Sequence, residues 1–367
     1  MLNKKKSHWP KKIREANVIV TAAGGIIAQG IIKSLKLANI LSHNKITYRI
    51  ITTDLNSQSA GLYRSDLGFI VPPSSSSDYI KTLIKLAVDE NIDAIYPGSD
   101  EELLVIGKAK KKIEKATNAK VLTSPVDVLI TARDKWKTFK FLSKNNLPAA
   151  KSVLPKDCES ITQEFGFPVV VKPREGYGSL HFYIANDKDE LNYSISKIRR
   201  AGWHPIIQEY LDSDVEFTSG VTVDKSGSQV MSSISIKKTI KNGQTYKAHI
   251  DDFRDIRRYS ESVALKLGAR GAVNIQAKLT DGGLPKVFEI NPRFSATCPM
   301  RSAAGINEPD IVFRNTCLGE EIKVPDYKKL LCLRYWNELY IPTATYELFC
   351  KEGKINNPND SFILKYF

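Results

Sequence analysis

The stretch NIQAKLTDGGLPKVFEINPRF, residues 274–294, decides how the chain is read. Two runs rich in apolar residues, NIQAKLT and PKVFEIN, flank the glycine-rich turn TDGGLP, the pattern of two neighbouring strands. Side chains alternate along a strand, so Glu289 and Asn291 fall on one face, with Gln276 on the strand beside them. Oxygens from Gln, Glu and Asn suit Mg2+, which takes one or two carboxylates and completes its shell with phosphate oxygens and water. Arg293 adds a rigid fork of donors for a phosphoryl or acyl-phosphate group. The alternative for this segment by itself is a cross-strand polar cluster at a sheet end.

Around this hairpin, from residue 168 onward, strands dominate: FPVVVKPR, PIIQEYL, VEFTSGVTVD and QVMSSISIKK, interrupted by helical patterns at 187–201 and 251–267. This half reads as α+β with an antiparallel sheet. Residues 16–122 alternate instead. ANVIVTA and YRIITTD are strands, IIAQGIIKSLKLAN and DYIKTLIKLAVDE have helical spacing, and the unit reads as α/β, a doubly wound parallel sheet. In the loop PPSSSSD, Asp78 is placed to cap the next helix. A helical segment at 134–145 joins the halves, and a polar tail follows the short run LLCLRYWNELYI.

A chain of 367 residues is too long for one ordinary core. Its 42% hydrophobic and 26% charged residues are those of a soluble globular protein. No apolar run is long enough to span a bilayer, and the basic start MLNKKKSHWPKKIR is followed by a glycine-broken strand instead of a leader's apolar core, so a cytoplasmic location is expected. The net charge of +14 comes without any zinc-finger spacing, helix-turn-helix signal or aromatic RNA motif, which argues against nucleic acid; acidic small molecules account for a positive field equally well. The five cysteines form no Cys-x-x-Cys pair, so structural zinc and disulfides are not expected.

Three further segments carry candidate chemistry. TAAGGIIAQG holds Gly24, Gly25 and Gly30 at a strand-to-helix turn, but the spacing is wrong for a dinucleotide fingerprint, Asp54 comes too late, and a structural tight turn is the better reading. No P-loop motif is present. VVVKPREGYGS puts Lys172 at the end of a buried strand, where an unpaired ammonium is costly, ahead of glycines whose backbone N–H groups can approach an anion. PIIQEYLDSDVEF ends a strand at Glu209, Tyr210 and Leu211, whose backbone offers an adenine edge its donor and acceptor, with Glu216 near enough for ribose hydroxyls.

Taken in order, Lys135 in ARDKWKTFKFL, Lys172 in VVVKPR, the EGYGS loop, QEYL, Glu216, Gln276 and EINPRFS resemble the ATP-grasp superfamily, in particular the synthetase halves of carbamoyl phosphate synthetase and their stand-alone relatives. The resemblance covers roughly residues 16–320. It implies a basic tail (1–15), a doubly wound pre-ATP-grasp domain (16–122), a small subdomain with linking helices (123–210), a second subdomain with the metal site (211–325) and a C-terminal extension (326–367). It also implies a carboxylate-amine ligase that makes an acyl phosphate, or, as the second reading, a regulatory relative that holds nucleotide without ligation. Lys135 and Lys172 would hold the ATP phosphates, under a loop of Glu175, Gly176, Tyr177, Gly178 and Ser179. Glu209, Tyr210 and Leu211 would meet adenine, and Glu216 the ribose. Gln276, Glu289 and Asn291 would bind two Mg2+ ions, with Mn2+ an admissible substitute, and Arg293 would stabilise the transferred phosphoryl group. Small-molecule carboxylate and amine substrates would meet Lys237, Lys238, His249 and Arg301, the last as a catalytic anchor for the substrate carboxylate. The resemblance admits a homodimer. The chain holds one copy of a unit that carbamoyl phosphate synthetase holds twice, so carbamoyl phosphate synthesis by this chain alone is not expected.

Overall fold

The computed structural model describes residues 14–41, 46–176, 178, 180–241, 243–280, 282–323, 325–335, 337–356 and 360–364. Strands β1 (Arg14–Val20), β2 (Ile46–Asp54), β3 (Leu67–Ile70), β4 (Ala94–Tyr96) and β5 (Lys120–Val121) form a parallel sheet in the order β3-β2-β1-β4-β5. Helices α1 (Ile26–Leu41), α2 (Tyr79–Asp89) and α3 (Asp100–Ala116) connect its strands. Helix α3 is well signalled. The Ser99 side chain accepts from Glu102 N, three acids fill the first turn and Lys115 sits in the last, all favourable to the helix dipole. Asp78 does not cap α2: it is already in the helical region and its side chain makes no capping bond. The Gly24 turn is tied down locally, because Gly24 N donates to Asp54 Oδ2 at 2.8 Å and a Cβ there would strike Ser59.

Helices α4 (Val126–Arg133) and α5 (Lys135–Lys144) lead out of this unit, and Asp134 caps α5 by accepting from Trp136 N and Lys137 N. A four-stranded antiparallel sheet follows, with β6 (Ser152–Val153), β7 (Val169–Pro173), β8 (Tyr183–Ala185) and β9 (Pro205–Glu209) in the order β6-β9-β7-β8. It is backed by α6 (Cys158–Phe165) and α7 (Lys188–Arg200). Strands β10 (Glu216–Val223), β11 (Val230–Lys241), β12 (Gln244–Ile250), β13 (Gly271–Leu279), β14 (Pro285–Asn291) and β15 (Leu330–Leu333) make a third, antiparallel sheet in the order β14-β13-β10-β11-β12-β15. Helix α8 (Arg254–Leu267) packs on β10 and β11. After β14 come α9 (Cys298–Ala304) and α10 (Glu308–Leu318).

The segment after residue 325 is no free polar tail. It supplies β15 to the third sheet, then α11 (Thr343–Glu352), then β16 (Lys354–Asn356), which pairs antiparallel with β3 at the edge of the first sheet. Too short to stand out by period, these strands are ordered by edges that other elements leave open.

One apolar core joins the first unit to the third sheet: Val18, Val20 and Ile50 meet α1, α9 and α10 and continue to Ile234 and Ile236 of β11. Tyr48 anchors this seam, with its hydroxyl donating to Asp310 Oδ1 at 2.7 Å and its ring edge-on to Phe313 at 5.2 Å. Among the described residues, no helix is long and apolar enough to cross a membrane.

Candidate active site

The hairpin 274–294 forms as expected, with one feature alternation alone does not give. Register shifts between Gln276 and Ala277, so Gln276 faces Glu289, Asn274 faces Asn291, and Ala277 faces Val287. The extra residue lets Val287 and Ile290 both enter the core beneath the sheet, while Phe288, Glu289 and Asn291 all line a cavity of about 650 Å3 on the other side. The same cavity is lined by Lys135, Lys172, Gly178, Leu211, Glu216 and Arg293. Residues from α5, β7, β9, β10, β13 and β14 therefore converge on one space.

Charge is arranged around Glu289. Its Oε1 lies 3.4 Å from Lys135 Nζ and its Oε2 accepts from Gln276 Nε2 at 2.6 Å. Lys135 also donates to Gly176 O at 2.6 Å, tying α5 to the loop after β7. Lys172 lies over the Phe288 ring, 5.4 Å from its centre. Burial, helped by the charge of Lys135, pulls the Lys172 ammonium down to about 7, against the opposing pull of Glu289 and Glu216. Burial pushes the Glu289 carboxyl up, but Lys135, Lys172 and Arg293 outweigh it and hold it below the ordinary range. A single ionised carboxylate thus serves three cations.

Arg293 does not project freely. Its Nε and Nη2 each bond Asp100, at 2.7 Å, its Nη1 donates to Phe294 O at 3.1 Å, and its Nη2 reaches Asn291 Oδ1 at 3.2 Å. Burial raises the Asp100 carboxyl, yet Arg293 overrides it and leaves it lowered. The first turn of α3 is thereby clamped to the end of β14.

The residues expected at the nucleotide end are placed with equal definition. Glu209 is buried; its carboxylate takes Lys286 Nζ at 2.5 Å and Lys151 N at 3.0 Å, and Lys278 Nζ donates to Leu211 O at 3.2 Å. Tyr210 and Leu211 follow it along the cavity wall. Lys238 bridges Glu216 at 2.8 Å and Gln276 Oε1 at 2.6 Å, so it stands among the residues expected at the ribose and the metal and not at a separate substrate end. Glu175 lines a smaller adjoining pocket with Asp100, Lys135 and Glu289, and its carboxylate lies 3.9 Å from Arg174 and 3.6 Å from His204. Tyr177 and Ser179 lie outside the described residues.

Three expected substrate residues are elsewhere. Arg301 is 1% exposed and paired with an equally buried Glu308 at 2.9 Å. Its neighbours leave no route to a ligand: Nη2 donates to Asn274 Oδ1 at 2.6 Å and Thr218 Oγ1 at 3.3 Å. A Cβ at Gly220 would overlap both Glu308 Oε1 and Arg301 Nη1, so β10 needs glycine there to admit the pair. His249 is 53% exposed beside Asp251, and Lys237, its partner across β11 and β12, is exposed too. Neither lines the cavity, because both fall on the alternate face from Lys238.

Two residues escaped the sequence reading. Asp100 carried only the signature of a first-turn acid. Asn274 is 3% exposed and lines the cavity; its Oδ1 accepts from Arg301 and from Thr218 Oγ1 at 2.8 Å, which leaves its amide nitrogen for the cavity. Its signal was its place, two residues before Gln276 on the same face.

The oxygens of Gln276, Glu289 and Asn291 share one sheet face, and the positive groups Lys238, Lys135 and Arg293 now stand against them in turn. Such a set fits a hard divalent cation that brings phosphate oxygens of its own, and not a soft metal; among the described residues, no cluster of three or more His, Cys, Asp or Glu side chains could hold a metal by itself.

Comparison with known proteins follows the same division. Residues 132–297 match a model described as an ATP-grasp domain, and residues 26–122 one described as a PylC-like N-terminal domain. The carbamoyl-phosphate synthase of Methanobrevibacter smithii is 25% identical over 324 residues, 85% of this chain and 84% of that one. The carbamoyl phosphate synthase large chain of Methanocorpusculum labreanum is 26% identical over 318 residues, 78% of this chain. Only 29% of that large chain is matched, so this chain spans under a third of its length. Among solved structures, N5-carboxyaminoimidazole synthetase from Staphylococcus aureus, complexed with ADP, superposes with a TM-score of 0.68 at 16% identity, covering 87% of this chain and 81% of that one. The biotin carboxylase domain of Hydrogenobacter thermophilus 2-oxoglutarate carboxylase, in complex with MgADP, ADP and bicarbonate, gives 0.66 at 17% identity, covering 84% and 71%. At such identities the structural likeness speaks for the fold.

Proposed function

The chain carries an ATP-grasp domain behind a PylC-like, pre-ATP-grasp N-terminal domain, and on that premise we propose that it is an ATP- and Mg2+-dependent ligase joining a small-molecule carboxylate to an amine. The observation that carries this reading is the intact polar set around one cavity: Lys135, Lys172 and Arg293 against Glu289, with Gln276 and Asn291 in register beside it. Phosphoryl transfer needs positioning and charge neutralisation more than a covalent side chain. Lys135 and Lys172 hold the ATP phosphates, beneath Gly176 and Gly178. Glu209 to Leu211 present backbone to adenine, and Glu216 takes the ribose. Gln276, Glu289 and Asn291 would hold two Mg2+ ions, which Mn2+ can replace, and the metal supplies charge neutralisation between phosphate oxygens. Arg293, pinned by Asp100, keeps a fixed donor face toward the transferred group. The product of that first transfer is an acyl phosphate, which the amine converts to an amide with release of phosphate.

The decisive experiment is an ADP-release screen over paired pools of carboxylic acids and amines. The ligase reading expects release only when an acid and an amine are both present. Nucleotide binding without any such release would favour a holding protein.

Lys172 gives the reading a pH signature. In the free protein its ammonium is depressed from 10.5 to about 7, so above pH 7 the folded protein has released a proton that the unfolded chain keeps up to its higher pKa. For this group alone, stability therefore rises between pH 7 and about 10.5. Phosphate binding restores the charge, so MgADP binding at pH 8 should take up about one proton. Calorimetry in two buffers of different ionisation enthalpy measures this uptake, and Lys172→Arg, charged at every such pH, should abolish it. Equal uptake by both proteins would remove Lys172 from the phosphate site.

A further inference from the structure

Each side-chain oxygen expected at the metal already faces a donor. Lys135 Nζ stands 3.4 Å from Glu289 Oε1, Gln276 Nε2 donates to Glu289 Oε2 at 2.6 Å, and Arg293 Nη2 donates to Asn291 Oδ1 at 3.2 Å. Gln276 Oε1 accepts from Lys238 Nζ at 2.6 Å. Any cation that these oxygens ligate has to replace such donors, and the donors differ in how they are held. Lys135 is proposed for the phosphates, so an incoming phosphate draws it off Glu289. Arg293 can leave Asn291 and still keep two bonds to Asp100 at 2.7 Å. Lys238 has no such release by phosphate assigned to it, and it fixes an orientation as well.

Lys238 lies on β11 directly across from Glu216 of β10, and it reaches past β10 to Gln276 of β13. Its side chain is 7% exposed, with Glu216 Oε1 at 2.8 Å. One buried ammonium therefore joins the acid expected at the ribose to the amide expected at the metal, through two charge-assisted contacts. Because Lys238 takes the Gln276 oxygen, the amide turns its nitrogen toward Glu289. That is the wrong end for a hard cation, which needs oxygen from both side chains and meets an N–H donor instead. The neighbouring Lys278, also across from Glu216, takes no part in this: it donates to Leu211 O and lies over the Tyr210 ring.

We propose that Lys238 is a positioning residue that keeps the metal end closed until nucleotide arrives. The ribose hydroxyls take Glu216, the ammonium gives up Gln276, and the amide turns its oxygen to the cation beside Glu289. Sugar recognition on β10 thereby frees a metal ligand on β13, and the chain takes up a divalent cation together with its nucleotide and only weakly without it. The inference rests on the ligase reading for the ribose and metal assignments, and on this chain's own contacts for the coupling between them.

The test measures Mn2+ binding to the full chain by electron paramagnetic resonance, with and without saturating ADP, in wild type, Lys238→Met, Lys238→Arg and Lys278→Met. Without ADP, Lys238→Met is expected to bind Mn2+ about tenfold tighter than wild type or more, the scale of a hydrogen bond to a charged group. Lys238→Arg keeps the charge and should stay near wild type. Lys278→Met removes an equal charge from the same cavity without touching a metal oxygen, and should tighten Mn2+ by no more than about fivefold, the range of an exposed ionic contact. With ADP, the gap between wild type and Lys238→Met should also fall below about fivefold. Lys238→Gln, which keeps a donor for Glu216, should show the same gain and replaces the methionine variant if that one does not fold. Equal Mn2+ binding by wild type and Lys238→Met without ADP, an equal gain from Lys278→Met, or a gain that ADP does not shrink overturns the proposal and leaves the ligase reading standing. A wild type that binds ADP but no Mn2+ with it strikes the metal assignment itself, and the proposal falls with it.

Discussion

Glu289→Gln is expected to lower ATP turnover by about a thousandfold, the scale on which removal of one preorganised electrostatic partner acts, while leaving the far-UV spectrum nearly unchanged. The reasoning is local. Glu289 is the carboxylate that Lys135, Lys172 and Arg293 share, and it faces Gln276 at 2.6 Å across the hairpin. The amide keeps the shape and a hydrogen bond to Gln276 but removes the charge. Three consequences follow together: the proposed Mg2+ site loses its carboxylate, Lys172 loses the charge that most favours its protonation, and Lys135 loses its ion pair. Initial rates of ADP release at saturating ATP and a range of Mg2+ concentrations measure the effect. Near wild-type turnover in a folded Glu289→Gln protein would remove this end of β14 from the chemistry.

The second large effect is on stability. Arg301→Met leaves the Glu308 carboxylate, 1% exposed, without its guanidinium, and an uncompensated buried charge costs about 3–5 kcal/mol. Glu308→Gln should cost a comparable amount for the converse reason. The double variant should recover most of the loss, because both charges go together. Urea unfolding of the four proteins supplies the cycle, and additive losses would mean that the pair is not coupled. A separate readout tests the neighbouring cavity wall: Arg301→Lys keeps the charge for Glu308 but not the fork that reaches Asn274. It should retain more stability than Arg301→Met and yet impair turnover.

Much of this was legible in the sequence, and the reasons it was are particular. Period two and the TDGGLP turn located the hairpin, and side-chain alternation brought Gln276, Glu289 and Asn291 to one face even across a bulge. The pre-ATP-grasp plus ATP-grasp architecture followed from the βαβα alternation and the ordered motifs. What stayed hidden depended on partners distant in the chain. Arg301 reads like any arginine at a helix start until Gly220, 81 positions earlier, is seen to leave room for its pair with Glu308. His249 and Lys238 both belong to the hairpin of β11 and β12, but one residue of phase separates an exposed ring from a buried ammonium.

The pairing of β16 with β3 has a consequence for how the protein is made. Ile70 leaves the ribosome 286 residues before Asn356, and at typical rates of synthesis that interval lasts roughly 15 to 60 s. Throughout it, the outer edge of the first sheet is an open template for another nascent chain. Late closure by a three-residue strand makes the newborn chain, more than the mature one, the form most exposed to mispairing, and charged substitutions on β3 should matter most while translation is slow.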